Sequence, residues 1–126
     1  MAVFLICAGL LGLLAVALTV HVGRMRARKR IFLGDGGDSE LIAAIRAHGN
    51  LLELTPLILI LLWMMHGPTG HRMADILAII LVVARFLHAG GMLGILPHGR
   101  AAGAITTTVV LAWAAVTLIV AGIRGL

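Results

Sequence analysis

Residues 101–123 read AAGAITTTVVLAWAAVTLIVAGI, a stretch with no charged side chain and no proline. An α-helix rises about 1.5 Å per residue, so a helix of this length crosses the roughly 30 Å hydrocarbon core of a bilayer. In lipid the backbone N–H and C=O groups must find partners within the protein, and a helix satisfies them internally. The stretch therefore predicts a membrane-spanning helix.

Three more apolar stretches precede it, at about residues 2–22, 47–66 and 72–95. The first is too long for the apolar part of a signal peptide and lacks its basic start, so we predict a retained span. The chain is 61% hydrophobic and 12% charged, whereas soluble domains have roughly 45–50% and 25%. We predict one all-α integral membrane domain, a four-helix transmembrane bundle over residues 1–126. Four helices enclose little core of their own, which also favours an oligomer.

The chain carries a net charge of +5, and its basic residues are unevenly placed. Half of the ten lie directly after the first span: Arg24, Arg26, Arg28, Lys29 and Arg30. Such clusters are typical of the cytoplasmic side of a span and of contact with anionic lipid. We therefore expect the lipid bilayer as partner and no nucleic acid. The predicted first loop, about residues 23–38, is then cytoplasmic and both termini lie outside.

Turn residues separate the spans. Gly34-Asp35-Gly36-Gly37 precedes the second helix, which either Asp38 or Ser39 can cap. Short turns are predicted at residues 66–70 and 96–99, where glycine and proline occur together. Pairs of glycines at helical spacing predict close helix packing: Gly9 and Gly12, Gly90 and Gly94, Gly99 and Gly103.

Charged side chains occur within the second span, where their insertion costs roughly 2.5–3.5 kcal/mol each and marks candidate functional sites. At about 100° per residue, Arg46, Asn50 and Glu53 fall within roughly 60° of one another on one helix face. His48 points to nearly the opposite side and is interpreted as a packing or interfacial residue. Glu53, placed below the cytoplasmic surface, must face protein, water or a ligand.

A second group lies on the third span. Arg85 and His88 are three residues apart and share a face, in the same half of the membrane as the first group. Arg100, at the start of the fourth span, is placed to close over both. Three guanidiniums with one carboxylate suit a small zwitterion with excess negative charge. No metal site is expected, because the histidines lack a compact ligand set and the arginines repel cations.

A structural alternative remains open at this point. Glu53 paired with Arg46 or with Arg85 could be a buried ion pair that only fixes the register of the helices. The spacing alone does not decide between a strut and a binding site.

The same residues resemble a known family. Arg46-Ala47-His48-x-Asn50-x-x-Glu53-x-x-Pro56 is similar to the helix-two signature of the MAPEG family, the membrane-associated proteins in eicosanoid and glutathione metabolism. Gly34-Asp35-Gly36-Gly37 and Ala84-Arg85-x-x-His88 resemble the small bacterial members. The resemblance covers nearly the whole chain and implies a homotrimer in the bacterial inner membrane.

The resemblance also implies a ligand and roles for the residues that bind it. Glutathione, as co-substrate, would lie between neighbouring subunits toward the cytoplasm. Glu53 would receive its γ-glutamyl ammonium, and Arg100 would stabilise its thiolate as the catalytic residue. The remaining residues of the binding set would be Arg46, Asn50, Arg85 and His88.

The implied activity is that of a glutathione-dependent transferase or peroxidase, with a lipophilic electrophile or a lipid hydroperoxide as substrate. Many family enzymes place tyrosines near the thiol, whereas this chain has none. That difference keeps a second hypothesis open, a non-catalytic protein that binds lipid or glutathione. A small four-span exporter is disfavoured, because the first span contains no acidic residue.

Overall fold

A computed structural model describes residues 1–67 and 71–125 and folds them into a helical bundle. Within these ranges the helices are α1 (Ala2–Lys29), α2 (Ser39–Met65), α3 (His71–Met92) and α4 (Gly99–Gly125). Each is long and apolar enough to cross a membrane. The prediction of an all-α membrane fold with four spanning helices is confirmed. Of the predicted turn at residues 66–70, the last three residues lie outside the described part.

The first helix is longer than predicted, because residues 23–29 are helical and the loop begins only at Arg30. Arginine and lysine are good helix formers, and cations in a last turn interact favourably with the helix dipole. Arg30 then adopts a left-handed conformation with φ 56°. The N–H of Ile31 donates to the Arg26 carbonyl at 3.1 Å, which closes the helix end.

A network of charged side chains organises the loop between α1 and α2. Lys29 donates to Asp38 at 2.6 Å and to Glu40 at 2.8 Å. Arg26 donates to the Gly34 carbonyl at 2.7 Å. Asp38 also accepts from the Leu41 N–H at 2.9 Å, so it is the N-cap of α2. One carboxylate thus caps α2 and joins α2 to the end of α1.

We predict that this link gives the stability of the protein a measurable pH dependence. The Lys29 ammonium, helped by the Leu41 N–H, lowers the pKa of Asp38 below its ordinary value. A carboxyl group whose pKa is lower in the folded than in the unfolded state stabilises the fold above its unfolded pKa. That contribution is lost as the pH falls below about 4. Unfolding in neutral detergent between pH 7 and pH 3 should show this loss.

Asp38→Asn is the matched variant for that measurement, because asparagine still caps a helix but cannot pair with lysine as an anion. Its stability should depend less on pH over the acidic range than that of the unmodified chain. Identical pH profiles for the two proteins would show that the Lys29 link contributes nothing.

The turn between α3 and α4 begins earlier than predicted, because α3 ends at Met92 rather than near Ile95. Gly94 has φ 74°, a conformation that glycine adopts without steric cost. The N–H groups of Gly94 and Ile95 donate back to the carbonyls of Gly91 and Gly90. Gly94 therefore terminates the helix. The prediction that it packs against another helix is wrong.

Helices α3 and α4 approach each other most closely where glycines face the neighbouring backbone. A Cβ on Gly99 would lie 2.5 Å from the Leu87 carbonyl oxygen, and one on Gly103 would lie 2.6 Å from the His88 nitrogen. The predicted packing role of Gly99 and Gly103 is confirmed. An added Cβ on Gly9 or Gly12, by contrast, would have no neighbouring atom within 4 Å among the residues described. Their predicted role is not met within the subunit.

The core is arranged around α2 and α3. Both of these helices pack against α1 and against α4, whereas α1 and α4 do not contact each other within the described residues. We call the end of the bundle that carries residues 30–38 and 93–98 the loop end. A small apolar cluster nearer this end contains Leu14, Leu18, Ala47, Leu51 and Ala89. Many large apolar side chains point outward, as a lipid-embedded subunit requires: Leu5, Leu13, Trp63, Ile105 and Ile119 among them.

Candidate functional site

A hydrogen bond between Asn50 and Arg85 joins α2 to α3. Arg85 lies about two turns before the end of α3 and is only 1% exposed. Its Nη2 donates to the Asn50 Oδ1 at 3.0 Å. Its Nε and Nη1 are buried and have no hydrogen-bond partner among residues 1–67 and 71–125. Burial of an incompletely paired guanidinium is costly, so this is a strong candidate for an anion-binding group.

His88 lies one turn further along α3 on the same side as Arg85. It is 5% exposed, and its Nδ1 has no hydrogen-bond partner in the described part of the chain. Gly103 of α4 packs against its backbone nitrogen and Cβ. The missing side chain of this glycine allows α4 to approach, so the imidazole is enclosed by the two helices. Two neighbouring side chains of α3 thus retain unused polar atoms in a buried position.

Arg46 and Glu53 lie on the surface of the subunit, where both are exposed. The Glu53 carboxylate lies beside Gly49, because an added Cβ there would be 3.7 Å from its Oε1. Among residues 1–67 and 71–125, Glu53 forms no ion pair with Arg46 or with Arg85. The hypothesis that either pair is a register-fixing strut inside the subunit is therefore wrong.

Arg100 lies in the first turn of α4, and its side chain is exposed. A Cβ on Gly91 would overlap the Arg100 backbone nitrogen and would lie 2.6 Å from the carbonyl carbon of Gly99. The backbone of Arg100 is therefore seated on the last turn of α3. Gly103, one turn further along α4, contacts His88. Arg100 and the contact of Gly103 with His88 therefore lie one turn apart along α4, where α4 crosses α3.

His48 belongs to a different contact. The Thr19 hydroxyl donates to the Ala15 carbonyl at 2.8 Å, and its oxygen lies 3.0 Å from the His48 Nε2. Since that hydroxyl hydrogen is already used, His48 is the donor in the second bond. The histidine therefore links α2 to α1, which agrees with its interpretation as a packing residue.

A second polar cluster, at the opposite end of the bundle, was not predicted. Asp75 of α3 accepts from the Phe4 N–H at 3.1 Å and pairs with the Met1 amino group at 3.3 Å. The buried His66 places its Nε2 3.3 Å from Asp75 and its Nδ1 3.0 Å from the Leu62 carbonyl. In the sequence, this cluster is indicated by an aspartate within the third predicted span. Its contacts join α1, α2 and α3 and use the carboxylate for structure.

The binding set is therefore divided between two environments. Arg85 and His88 are buried, Asn50 is half-buried and joins them to α2, and the other three lie on open surface: Arg46, Glu53 and Arg100. The set thus combines buried polar groups without partners in the described residues with charged groups that are open to a ligand. A second protein surface laid against the subunit would complete the enclosure.

Comparison with known proteins gives two kinds of match. Residues 4–120 match the MAPEG family. The inner membrane protein YecN of Escherichia coli strain K12 is 36% identical over 109 residues, which cover 86% of this chain and 79% of YecN. YecN of Escherichia coli O6:H1 matches to the same extent. The location named for these relatives agrees with an integral protein of the inner membrane.

Proposed function

Since this chain belongs to the MAPEG family, whose match covers residues 4–120, we propose that it is a membrane-bound glutathione-dependent transferase or peroxidase. Its substrates would be lipophilic electrophiles or lipid hydroperoxides that reach the site from the bilayer. The observation that carries the proposal is the buried Arg85, two of whose guanidinium nitrogens have no partner within the described residues. A carboxylate of glutathione supplies what those nitrogens require.

The charges and donors around Arg85 suit this tripeptide. Glutathione has two carboxylates, one ammonium and one thiol, and its net charge is about −1, or −2 as the thiolate. Arg46 and Arg85 pair with carboxylates, while Glu53 takes the ammonium. The Asn50 carbonyl accepts from Arg85, which leaves its amide hydrogens free to donate to the peptide. His88 faces the same ligand through its unpartnered Nδ1.

The exposed position of Arg46 and Glu53 supports a site between subunits. We propose a homotrimer in which a neighbouring subunit covers this face and encloses the tripeptide. The outward apolar side chains, and the absence of contact between α1 and α4 in the described ranges, leave both helices available to neighbours. By the distribution of basic residues, the loop end is cytoplasmic and both termini are outside.

Arg100 is the proposed catalytic residue. A free thiol has a pKa near 8.5, so only about 3% is ionised at pH 7. A guanidinium beside the sulfur lowers that pKa and raises the thiolate fraction. With an electrophilic carbon, the thiolate forms a C–S bond and the displaced electron pair leaves with the leaving group or takes up a proton. With a hydroperoxide it attacks oxygen, which gives a sulfenic acid and an alcohol; a second glutathione then yields the disulfide and water.

The test of this proposal is the ultraviolet absorbance of the thiolate when glutathione is added to the purified protein. We expect the absorbance to increase with the unmodified chain and with Arg124→Ala, whose arginine lies in the last turn of α4. Arg100→Ala should bind glutathione but produce little thiolate. No retention on immobilised glutathione by any of the three proteins would overturn the proposal.

The same experiment decides the second candidate, a protein that binds glutathione or lipid without catalysis. The complete absence of tyrosine favours it, because no phenol is available to assist Arg100 at the sulfur. Binding without thiolate formation in the unmodified chain, together with no conjugation of an electrophile, would establish this candidate instead.

A further inference from the structure

A cavity of about 490 Å³ opens at the loop end and is lined by none of the residues assigned to glutathione. Its polar wall includes His21 and Arg28 of α1 and Glu40 of α2, and its apolar wall includes Met25, Met92 and Leu93. A second cavity of about 300 Å³ adjoins it and shares Met25, Arg28 and Glu40. The volume lies within the range of small-molecule sites.

The charge of Arg28 is not used by the protein itself. Arg26 donates to loop carbonyls, and Lys29 pairs with Asp38 and Glu40. Arg28 forms no hydrogen bond or ion pair within the described residues, although its side chain lines both cavities. The one carboxylate in the wall, that of Glu40, is held by Lys29 at 2.8 Å. The cavity therefore presents a free guanidinium to its occupant.

The position of the cavity defines what kind of anion fits. It lies at the point where the apolar run of α1 ends and the basic segment begins, at the boundary between hydrocarbon and water. An occupant there meets a guanidinium on one side and the side chains of Met25, Met92 and Leu93 on the other. A molecule with a phosphate beside an apolar stem satisfies both walls.

We propose that this cavity binds the headgroup of an anionic phospholipid, with its phosphate on Arg28 and its glycerol and upper acyl carbons on the apolar wall. The site is independent of the glutathione site, because it uses none of the same side chains. A lipid seated there contacts α1, the start of α2 and the end of α3 at once. It therefore holds the loop end of the bundle together.

The test uses thermal unfolding of the purified protein in neutral detergent, with added phosphatidylglycerol or phosphatidylcholine of the same acyl chains. A ligand that binds the folded state raises the unfolding midpoint. We expect phosphatidylglycerol to stabilise the unmodified chain and phosphatidylcholine to have little effect. Arg28→Gln should weaken the apparent affinity about tenfold, and Arg28→Lys, which keeps the charge, should retain most of it.

Arg24→Gln is the matched control, because Arg24 belongs to the same basic segment but lines neither cavity. Its response to phosphatidylglycerol should equal that of the unmodified chain. Equal losses in Arg24→Gln and Arg28→Gln would indicate diffuse surface attraction and overturn the proposal. Stabilisation by inorganic phosphate alone, or equal stabilisation by phosphatidylcholine, would also overturn it.

Discussion

Replacement of Arg85 with methionine is expected to weaken glutathione binding at least about thirtyfold while leaving the subunit as stable as before. Truncation of one partner in a buried, hydrogen-bonded charge pair typically costs 2–5 kcal/mol of binding free energy. Within the part of the chain that the structure describes, however, this guanidinium has only one hydrogen bond, to Asn50. Replacement of poorly compensated buried charges by apolar side chains of similar volume is often neutral or stabilising, by about 1–4 kcal/mol.

Calorimetry with glutathione and unfolding in detergent, performed on the same protein preparations, measure the two effects. Arg72→Met is the matched control, because Arg72 is an exposed arginine of the same helix in its first turn. That variant should bind glutathione normally. Loss of about 3 kcal/mol of stability in Arg85→Met, with binding intact, would show that Arg85 is a structural group. The glutathione site would then be wrongly assigned.

Gly91→Ala is expected to lower the free energy of unfolding by about 3 kcal/mol or more. The added methyl group would overlap the backbone at the start of α4, which cannot move away as a flexible side chain can. Helices α3 and α4 would have to separate at their closest point. Because the backbone of Arg100 rests on Gly91, the same change should also displace that arginine and reduce thiolate formation.

Gly122→Ala provides the comparison, since Gly122 lies within α4 and an added Cβ there has no neighbour within 4 Å. In an open helix position, alanine is more favourable than glycine by roughly 0.5–1 kcal/mol. The two variants should therefore shift the unfolding transition in opposite directions. If Gly91→Ala unfolds like Gly122→Ala, the close approach of the two helices is not as described.

The existence of the four helices and the start of α2 were predictable because they depend on local chemistry. Long uncharged runs, a capping carboxylate at Asp38 and a glycine-rich turn each act within a few residues. The packing of Gly99 and Gly103 followed in the same way, from their spacing on one helix face. The family resemblance was also correct, since residues 4–120 match it. The predicted end of α1 is wrong, because a basic segment can end a membrane span without ending the helix, and residues 24–29 remain helical.

The surroundings of the site residues could not be predicted from the sequence. Helical periodicity gives the angle between side chains of one helix, but not which side of that helix the other helices cover. Arg85 and Glu53 are both charged residues within apolar runs, yet Arg85 is buried and Glu53 is exposed. The sequence pattern does not distinguish the two cases. Asp75 also bonds to Phe4, which lies 71 residues away along the chain, so this link could be found only from the tertiary structure.

Because Asp38 both caps α2 and binds Lys29, the residue at which α2 begins is fixed relative to the end of α1. One residue inserted between Asp38 and Arg46 would turn the face that carries Glu53 through about 100°. Insertions among residues 31–34, ahead of that anchor, would leave the direction of this face unchanged. The number of residues from Asp38 to Glu53 is thus under a stricter constraint than the length of the loop before it.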